Sequence, residues 1–225
     1  FCQHNLTIES EKKAVHRPTI SLPLGILSMA AYLRMKKWSG KIEIYDARLS
    51  GTIHKLQNGN IVFGDLDDVI EKNIKDSNPD IVAISNMFSW QIANAFQMAK
   101  TVKKVCPNSI VIIGGPHASS FPEETLNEDC IDYVVMGEGE ERIYHMLLAL
   151  EKNEEVSIQG VLGKIEDKQL LRKNKKAPIR FITTLDELPL PAYDMVDVNR
   201  YLELQRKGFS PRPLELGKRA FTLLT

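Results

Sequence analysis

The chain has 225 residues, with 29 Lys and Arg side chains balanced by 29 Asp and Glu side chains, so its formal net charge is zero. Hydrophobic residues make up 43% and charged residues 26% of the chain, which is typical of a folded globular protein and excludes a largely disordered one. The lack of a basic excess argues against a protein whose main role is to coat nucleic acid. Since no apolar run approaches the roughly 18 residues of a membrane span and no signal peptide is visible, we expect a soluble cytoplasmic protein without a membrane partner.

The cysteines and the chain ends lead to two further expectations. Cys2, Cys106 and Cys130 lie far apart without Cys-x-x-Cys spacing, so they form neither a disulfide framework nor a zinc site and are expected to be buried thiols. The chain begins at Phe1 and ends after an apolar stretch over 220–224 that is typical of a strand just beginning. These ends indicate a fragment of a longer protein.

The hydrophobic pattern predicts strands and helices that alternate along the chain up to residue 151. The strands are short apolar runs, and the helices carry apolar residues at a spacing of three and four. In chain order the predicted elements are a helix from Pro23 to Lys37, a strand over 41–46, a polar segment over 51–64, a helix over 66–77 capped by Asp65, a strand over 80–85, a helix over 90–105, a strand over 109–115, a short helix opened by Pro122, a strand over 131–136 and a helix over 140–151.

This alternation predicts an α/β fold with a parallel sheet and right-handed crossovers. The loops that follow the strands, over 46–51, 85–90, 114–121 and 137–140, then share one edge of the sheet, and ligands of such folds bind outside that edge. Past residue 155 the pattern changes to a hairpin, with arms over 160–165 and 169–173, and a Pro-rich stretch. We therefore predict a domain over 1–155 followed by a hairpin and linker over 156–225.

The loop that follows the strand over 109–115 begins with Gly114, Gly115, Pro116 and His117. Two glycines at a strand end are typical of a backbone that another body approaches closely or that takes a positive φ. A plain turn is the alternative. A lone histidine such as His117 is more often a surface or capping residue than a ligand.

The next loop reads Gly137, Glu138, Gly139 and Glu140. Free N–H groups at the start of a helix can bind a phosphate or another acceptor, but the carboxylates would repel an anion while favouring the helix dipole. The sequence is neither a P-loop nor the Gly-x-Gly-x-x-Gly fingerprint. A nucleoside triphosphate or dinucleotide site is therefore not supported.

Two further loops follow strands. Ser85, Asn86 and Met87 follow the most apolar strand; the small polar residues there can contact a ligand, while a helix cap explains Ser89 a little further on equally well. In the run 46–51, Asp46 can mimic the phosphoacceptor of a receiver domain, but the acidic pair and the lysine that a receiver needs are missing from the other strand ends.

Together, the loops and their order resemble the cobalamin-binding N-terminal domain of radical-SAM proteins, the class that includes anaerobic magnesium-protoporphyrin IX monomethyl ester cyclase. The resembling stretches are 22–27 with 30–33, 78–85, 114–118, 134–140 and the segment 185–194, Leu-Asp-Glu-Leu-Pro-Leu-Pro-Ala-Tyr-Asp. They cover about residues 20–225 in the family's order.

The resemblance implies a flavodoxin-like Rossmann sheet with helices on both faces and a corrin across its carboxyl edge. Ser85, Asn86 and Met87 would line the cleft for the nucleotide tail. The glycines of 114–117 would leave room for the dimethylbenzimidazole, and Gly137, Glu138 and Gly139 would close the other side. It also implies that most of the first strand, before His4, is missing.

The run Asp46, Ala47, Arg48 departs from the Asp-x-His-x-x-Gly motif that supplies a histidine ligand to cobalt. A guanidinium has no acceptor nitrogen. The resemblance, with this departure, predicts a base-off cobalamin without a histidine ligand, with Arg48 near its lower face or the corrin amides.

The catalytic barrel of the family needs a Cys-x3-Cys-x2-Cys run for its iron–sulfur cluster, which is not found in this sequence. We therefore predict the cobalamin-binding module of a longer radical-SAM enzyme, whose barrel would hold a [4Fe–4S] cluster and S-adenosylmethionine for methyl transfer or oxidative cyclisation. One alternative is a Rossmann-like scaffold that has lost the cofactor, and a second is a flavin- or nucleotide-binding module.

Overall fold

The computed structural model describes residues 1–8, 18–164 and 182–209. Its strands are β1 (Cys2–Gln3), β2 (Leu6–Ile8), β3 (Tyr45–Asp46), β4 (Ile53–Lys55), β5 (Ile61–Phe63), β6 (Ile81–Ser85), β7 (Ile110–Gly114), β8 (Tyr133–Val135) and β9 (Val161–Gly163). Its α-helices are α1 (Leu24–Met35), α2 (Asp67–Ser77), α3 (Ile92–Val105), α4 (Pro116–Ser120), α5 (Pro122–Leu126), α6 (Glu140–Glu151) and α7 (Val198–Leu204). Short 3-10 turns lie at Ser89–Gln91, Leu185–Glu187 and Tyr193–Met195.

The main sheet confirms the predicted α/β fold. Its six strands stand in the order β3-β1-β6-β7-β8-β9, and all neighbours are parallel except β8 and β9. This is the flavodoxin-like order, in which chain order reverses direction between β1 and β6. The carboxyl ends of these two strands therefore flank the topological switch point, where ligands of this architecture bind.

Helices cover both faces of the sheet, as β7 shows residue by residue. Val111 and Ile113 belong to the core that α2, α3, α4 and α5 pack onto, whereas Ile112 belongs to the core formed with α1 and α6. Successive strand side chains point to opposite faces, so an uninterrupted apolar strand such as β7 serves two cores. Within the residues that the structure describes, no helix is long and apolar enough to cross a membrane.

The predicted polar segment over 51–64 was wrong, because it contains two strands. β4 and β5 form a hairpin, and β2 pairs with the other side of β5 to give a separate antiparallel sheet. Each strand is three residues long and β4 is largely exposed, so neither length nor alternation marked them. Asp65 is not a helix cap either: α2 begins after Leu66 without a side-chain cap, and the Asp65 carboxylate accepts a hydrogen bond from the Tyr45 hydroxyl at 2.7 Å.

The segment after residue 155 contributes to the body of the molecule. β9 adds an antiparallel edge to β8, while the second arm of the predicted hairpin, over 169–173, lies outside the described residues. α7 buries Tyr201 and Leu204 in a separate core beside the small sheet, with Leu6, Ile20 and Phe63. The division at residue 155 stays a prediction. The three cysteines are free and buried, as expected.

Candidate functional site

The carboxyl edge of the main sheet brings the predicted site residues together. Those residues are Asp46, Ala47 and Arg48 at the end of β3; Ser85, Asn86 and Met87 at the end of β6; Gly114, Gly115, Pro116 and His117 at the end of β7 and the start of α4; and Gly137, Glu138 and Gly139 between β8 and α6. Ser85 is paired with Gly114 across β6 and β7, and the Asn86 N–H donates to the Gly114 carbonyl at 2.9 Å.

Gly115 is required by the backbone of the protein itself. Its φ is +114°, and a Cβ at this position would lie 2.2 Å from the carbonyl oxygen of Asn86. A side chain there would be both strained and in collision with main chain. Gly114 differs, because a Cβ there would lie 3.5 Å from the Val135 carbonyl oxygen, an ordinary contact.

Ser119 joins the loop after β7 to the loop after β8. Its hydroxyl donates to the Gly115 carbonyl at 2.9 Å and accepts from the Gly137 N–H at 2.9 Å. The sequence allowed a free N–H at Gly137 that could bind a phosphate. Because this N–H already donates to Ser119, it is not available to a phosphate.

The other two residues of that loop also serve intramolecular contacts. A Cβ on Gly139 would lie 2.5 Å from the sulfur of Met29, so the missing side chain lets α1 and α6 approach each other. The Glu138 carboxylate accepts a hydrogen bond from the Ile182 N–H at 2.5 Å. This carboxylate therefore holds the returning segment of chain at the edge of the sheet.

Three buried side chains at this edge have donor or acceptor atoms without a hydrogen-bond partner of normal geometry. Seven buried side-chain nitrogen or oxygen atoms of the described residues have no hydrogen-bond partner, and five of them belong to His4, Asn86 and His117. Both amide atoms of Asn86 and both ring nitrogens of His117 are in this set. Buried polar atoms are nearly always paired in proteins. The Asn86 side chain lies close enough to the His4 ring to act on its pKa as a hydrogen-bond partner, whereas the His117 ring nitrogens have no partner within the described residues.

His4 follows β1 directly and is fully buried. Its Nδ1 lies 2.6 Å from the Asn5 carbonyl oxygen; because a carbonyl can only accept, the ring proton is on Nδ1 and Nε2 presents a lone pair. The pKa of His4 is lowered to about 4, mainly by burial and in part by the positive charge of Arg48, while hydrogen bonding to the Asn5 carbonyl and to the Asn86 side chain opposes the shift. The ring is therefore neutral near pH 7.

The loop after β3 is held by a carboxylate. Asp46 is buried, and its Oδ1 accepts from the Arg48 N–H at 2.9 Å and lies 3.5 Å from Arg48 Nε. Its Oδ2 accepts from the Tyr201 hydroxyl at 2.8 Å. The Ala47 N–H donates to the Gln3 carbonyl at 2.9 Å, which ties this loop to β1.

Apolar side chains stand exposed around the same edge. Met87, Phe88 and Phe121 are exposed by 57%, 52% and 49%, and Phe88 stacks on Trp90 with ring centroids 6.3 Å apart. Phe88 and Trp90 thus form an exposed aromatic pair of the kind that a ligand or a partner can cover.

A cavity of 510 Å³ opens beside the loops after β1 and β6, next to the small sheet. Among the residues that the structure describes, its lining includes Asn5, Trp90 and Asn94, together with the carboxylates of Asp67 and Asp68, but no basic side chain. A phosphate group would be repelled there, so the cavity gives no support to a flavin mononucleotide or a nucleotide.

Several functional residues were missed from the sequence. β1 is only two residues long, so its pattern did not place His4 at a strand end. Ser119 acts through two hydrogen bonds and Tyr201 through one, and no spacing in the sequence predicts them. Trp90 and Phe88 offered a signal, because two aromatic residues follow the polar end of a buried strand.

Comparison with known proteins places this edge in context. A family profile described as B12 binding domain matches residues 14–147. An uncharacterised methyltransferase of Pyrococcus horikoshii is 33% identical over 184 residues, covering 81% of this chain and 36% of that protein. Cytidylyl-2-hydroxyethylphosphonate methyltransferase of Streptomyces wedmorensis is 29% identical over 234 aligned positions, covering 92% of this chain and 42% of that protein.

Among solved structures, the cobalamin-dependent S-adenosylmethionine radical enzyme OxsB with aqua-cobalamin bound superimposes with a TM-score of 0.65 at 21% identity, covering 91% of this chain and 25% of that one. At this identity the likeness establishes the fold. The present chain spans less than half of the length of the two methyltransferases.

Proposed function

Because the chain belongs to the B12-binding domain family, we propose that it binds a cobalamin across the carboxyl edge of its main sheet. The observation that carries the proposal is the concentration of five buried polar atoms on His4, Asn86 and His117 without a hydrogen bond of normal geometry to the described residues. These atoms are already withdrawn from water, so a ligand that supplies their hydrogen bonds recovers an interaction without a new desolvation cost.

The chemistry of these side chains fits a corrin. Its peripheral amides both donate and accept hydrogen bonds, and the Asn86 amide offers one donor and one acceptor group in return. The His4 Nε2 lone pair accepts. We expect the loop over 86–90, which carries the exposed Met87 and Phe88, to move as the cofactor reaches the buried groups.

The exposed apolar side chains support the same occupant. Met87, Phe88 and Phe121 surround an edge that a flat, largely apolar macrocycle can cover. Gly114 leaves space on β7, because a Cβ there would meet nothing closer than 3.5 Å. In this proposal Gly114 leaves space for the cofactor, whereas Gly115 is needed because the Asn86 main chain lies against it.

We also propose that the cobalamin is bound base-off and without a histidine ligand. The guanidinium of Arg48 is held at Asp46 and cannot coordinate a metal, because all its nitrogens lack an available lone pair. In this arrangement Arg48 contacts the lower face or the corrin amides. The neutral imidazole of His4 accepts a hydrogen bond from the cofactor.

When bound, a cobalamin supplies a metal centre that carries a methyl group. The whole protein is then a radical-SAM methyltransferase, with a [4Fe–4S] cluster and S-adenosylmethionine in a catalytic domain outside this chain. The named methyltransferase relative favours methyl transfer over cyclisation.

The three free cysteines favour a reducing compartment, the cytoplasm.

The test is a titration of the 225-residue chain with hydroxocobalamin, followed by visible absorption and by co-elution in gel filtration. We expect one equivalent to be retained with a base-off spectrum. A nitrogen-ligated spectrum that disappears in His4→Gln would contradict the absence of a histidine ligand. No retention, in this chain or in the full-length protein, would leave the alternative of a scaffold domain without cofactor.

A further inference from the structure

Helix α7 docks on the loop after β3, although 150 residues of sequence separate them. The Arg200 side chain donates from Nε to the Leu49 carbonyl at 3.2 Å and from its terminal nitrogen to the Ser50 carbonyl at 2.6 Å. Leu204 fills the space beside Gly51, where a Cβ would lie 2.2 Å from Leu204 Cδ2. The loop is therefore shaped by the segment that follows residue 182.

One hydrogen-bonded chain runs from this helix to Arg48. The Tyr201 hydroxyl donates to Asp46 Oδ2 at 2.8 Å, and Asp46 Oδ1 accepts from the Arg48 N–H at 2.9 Å. The Arg48 Nε lies 3.5 Å from the same oxygen, with 11% of the Arg48 side chain exposed. At 3.5 Å the Arg48 Nε–H is at the outer limit of a hydrogen bond to Asp46 Oδ1. A small rotation of the Asp46 carboxylate would therefore strengthen or break this bond.

Tyr201 is suited to fix that orientation. It is fully buried, and burial, followed by the negative charge of Asp46, raises the pKa of its hydroxyl. The group therefore stays a proton donor across the physiological range. A buried hydroxyl that donates to a buried carboxylate holds it more rigidly than water can.

We propose that Tyr201 is a positioning residue that orients the Asp46 carboxylate and, through it, the Arg48 guanidinium at the cofactor edge. The segment after residue 182 thereby sets how the loop after β3 meets the ligand. The inference rests on the proposed function only for its effect on binding, because the chain Tyr201, Asp46, Arg48 exists in the protein without a ligand.

The experiment compares Tyr201→Phe with Tyr144→Phe in the 225-residue chain. Tyr144 lies on α6 and packs edge-on against Tyr32, and its hydroxyl donates no hydrogen bond within the described residues. In the ligand-free protein, nitrogen-15 NMR measures the exchange of the Arg48 Nε–H with water. We expect exchange about five to ten times faster in Tyr201→Phe and unchanged in Tyr144→Phe.

Binding of hydroxocobalamin gives the second readout. We expect Tyr201→Phe to weaken the affinity about fivefold, and the double variant with Arg48→Ala to bind no more weakly than Arg48→Ala alone, because both act through the same guanidinium. If Tyr201→Phe fails to fold, Asp46→Asn keeps Tyr201 packed and should speed the same exchange.

Unchanged exchange of the Arg48 Nε–H in a folded Tyr201→Phe would overturn the inference. So would faster exchange with unaltered affinity, or additive losses in the double variant. If the wild-type chain binds no cobalamin, the proposed function fails, and the ligand-free exchange still decides whether Tyr201 orients Arg48.

Discussion

The two ends of the same central strands differ in how completely their polar side chains are paired. Before β7 and β8, the Asp132 carboxylate accepts from the Lys103 ammonium at 2.6 Å and from the Val111 N–H at 2.7 Å, and the Ser109 hydroxyl donates to the Pro79 carbonyl at 2.6 Å. After β6 and β7, the side-chain nitrogens and oxygen of Asn86 and His117 have no hydrogen bond of normal geometry within the described residues, although the Asn86 side chain lies near the His4 ring.

This difference distinguishes polar side chains that stabilise the fold from those that we propose contact a ligand. An edge whose only role is to hold strands together satisfies its polar groups with protein atoms, since each unsatisfied one costs stability. At the other edge Asp46 and Ser119 are paired with protein atoms as well, but Asn86 and His117 retain part of that cost, which the proposed ligand would offset. The comparison predicts that substitutions at the amino end lower stability alone, whereas substitutions of Asn86 and His117 lower affinity alone.

The largest effect on stability is expected at Gly115. This residue is an exception to the comparison, because it lies at the carboxyl edge of the sheet and yet has a structural role. Gly115→Ala places a Cβ 2.2 Å from the Asn86 carbonyl oxygen at a φ of +114°. We expect a loss of about 3 kcal/mol in the free energy of unfolding. Urea denaturation measures it.

Gly114→Ala is the matched control, since its Cβ has an ordinary contact distance of 3.5 Å. We expect its stability to change by less than about 1 kcal/mol while its affinity for cobalamin falls. Equal destabilisation by the two alanines would show that Gly115 is not specially constrained.

Because of the buried His4 at the carboxyl edge of the sheet, we expect the free energy of unfolding to depend on pH. Its folded pKa is about 4 against an ordinary value of 6.5, so the unfolded chain binds the proton first as the pH falls. Stability is then complete above about pH 6.5 and falls by about 3 kcal/mol on the way to pH 4.

Urea denaturation between pH 7 and pH 5 measures the slope, which His4→Gln should reduce. His145→Gln removes an exposed histidine of α6 and should leave the slope as in the wild type. The interpretation of His4 fails if the two variants behave alike.

Asp132→Ala tests the amino end. It removes the acceptor of the Val111 N–H and of the Lys103 ammonium, and we expect a loss of about 2 kcal/mol in the free energy of unfolding. The affinity of the folded protein for hydroxocobalamin should stay the same. A drop in affinity as large as that of an Asn86 variant would remove the distinction between the two ends.

Asn86→Leu tests the carboxyl end and is expected to have the smallest effect on folding. Replacing an unpartnered buried amide with an apolar side chain of similar size leaves stability unchanged or slightly raised. Affinity for hydroxocobalamin should fall about tenfold, because the ligand amides lose their partner. A clear loss of stability would mean that the Asn86 side chain is part of the fold.

The sequence predicted the elements whose apolar pattern is long enough to be specific. β6 and β7 are five apolar or small residues each, and α1, α2, α3 and α6 run for three turns or more, so period and length agreed. β4 and β5 are three residues long, and β1 is two; strands this short are defined by pairing with distant strands, which a local pattern does not contain.

The structure brings the predicted site residues to one sheet edge, and the binding of a cofactor by them stays a prediction. Parallel topology alone places Ser85, Gly114 and Gly137 at one edge. Gly115 has the positive φ that the glycine pair predicted, and its close neighbour is the Asn86 backbone, which the sequence did not identify. His4 and Tyr201 depend on tertiary contacts, with Asn5 and Asp46 respectively, that spacing in the chain does not reveal.

The most direct test of the ligand edge is a nitrogen-15 NMR titration of the chain with diamagnetic hydroxocobalamin, observing the Asn86 side-chain amide and the His117 ring nitrogens. The Val111 backbone N–H, held by Asp132 at 2.7 Å, is the internal reference. We predict that the Asn86 and His117 signals shift with one equivalent of cobalamin while Val111 stays in place. Stoichiometric binding that leaves Asn86 and His117 unchanged would contradict the account.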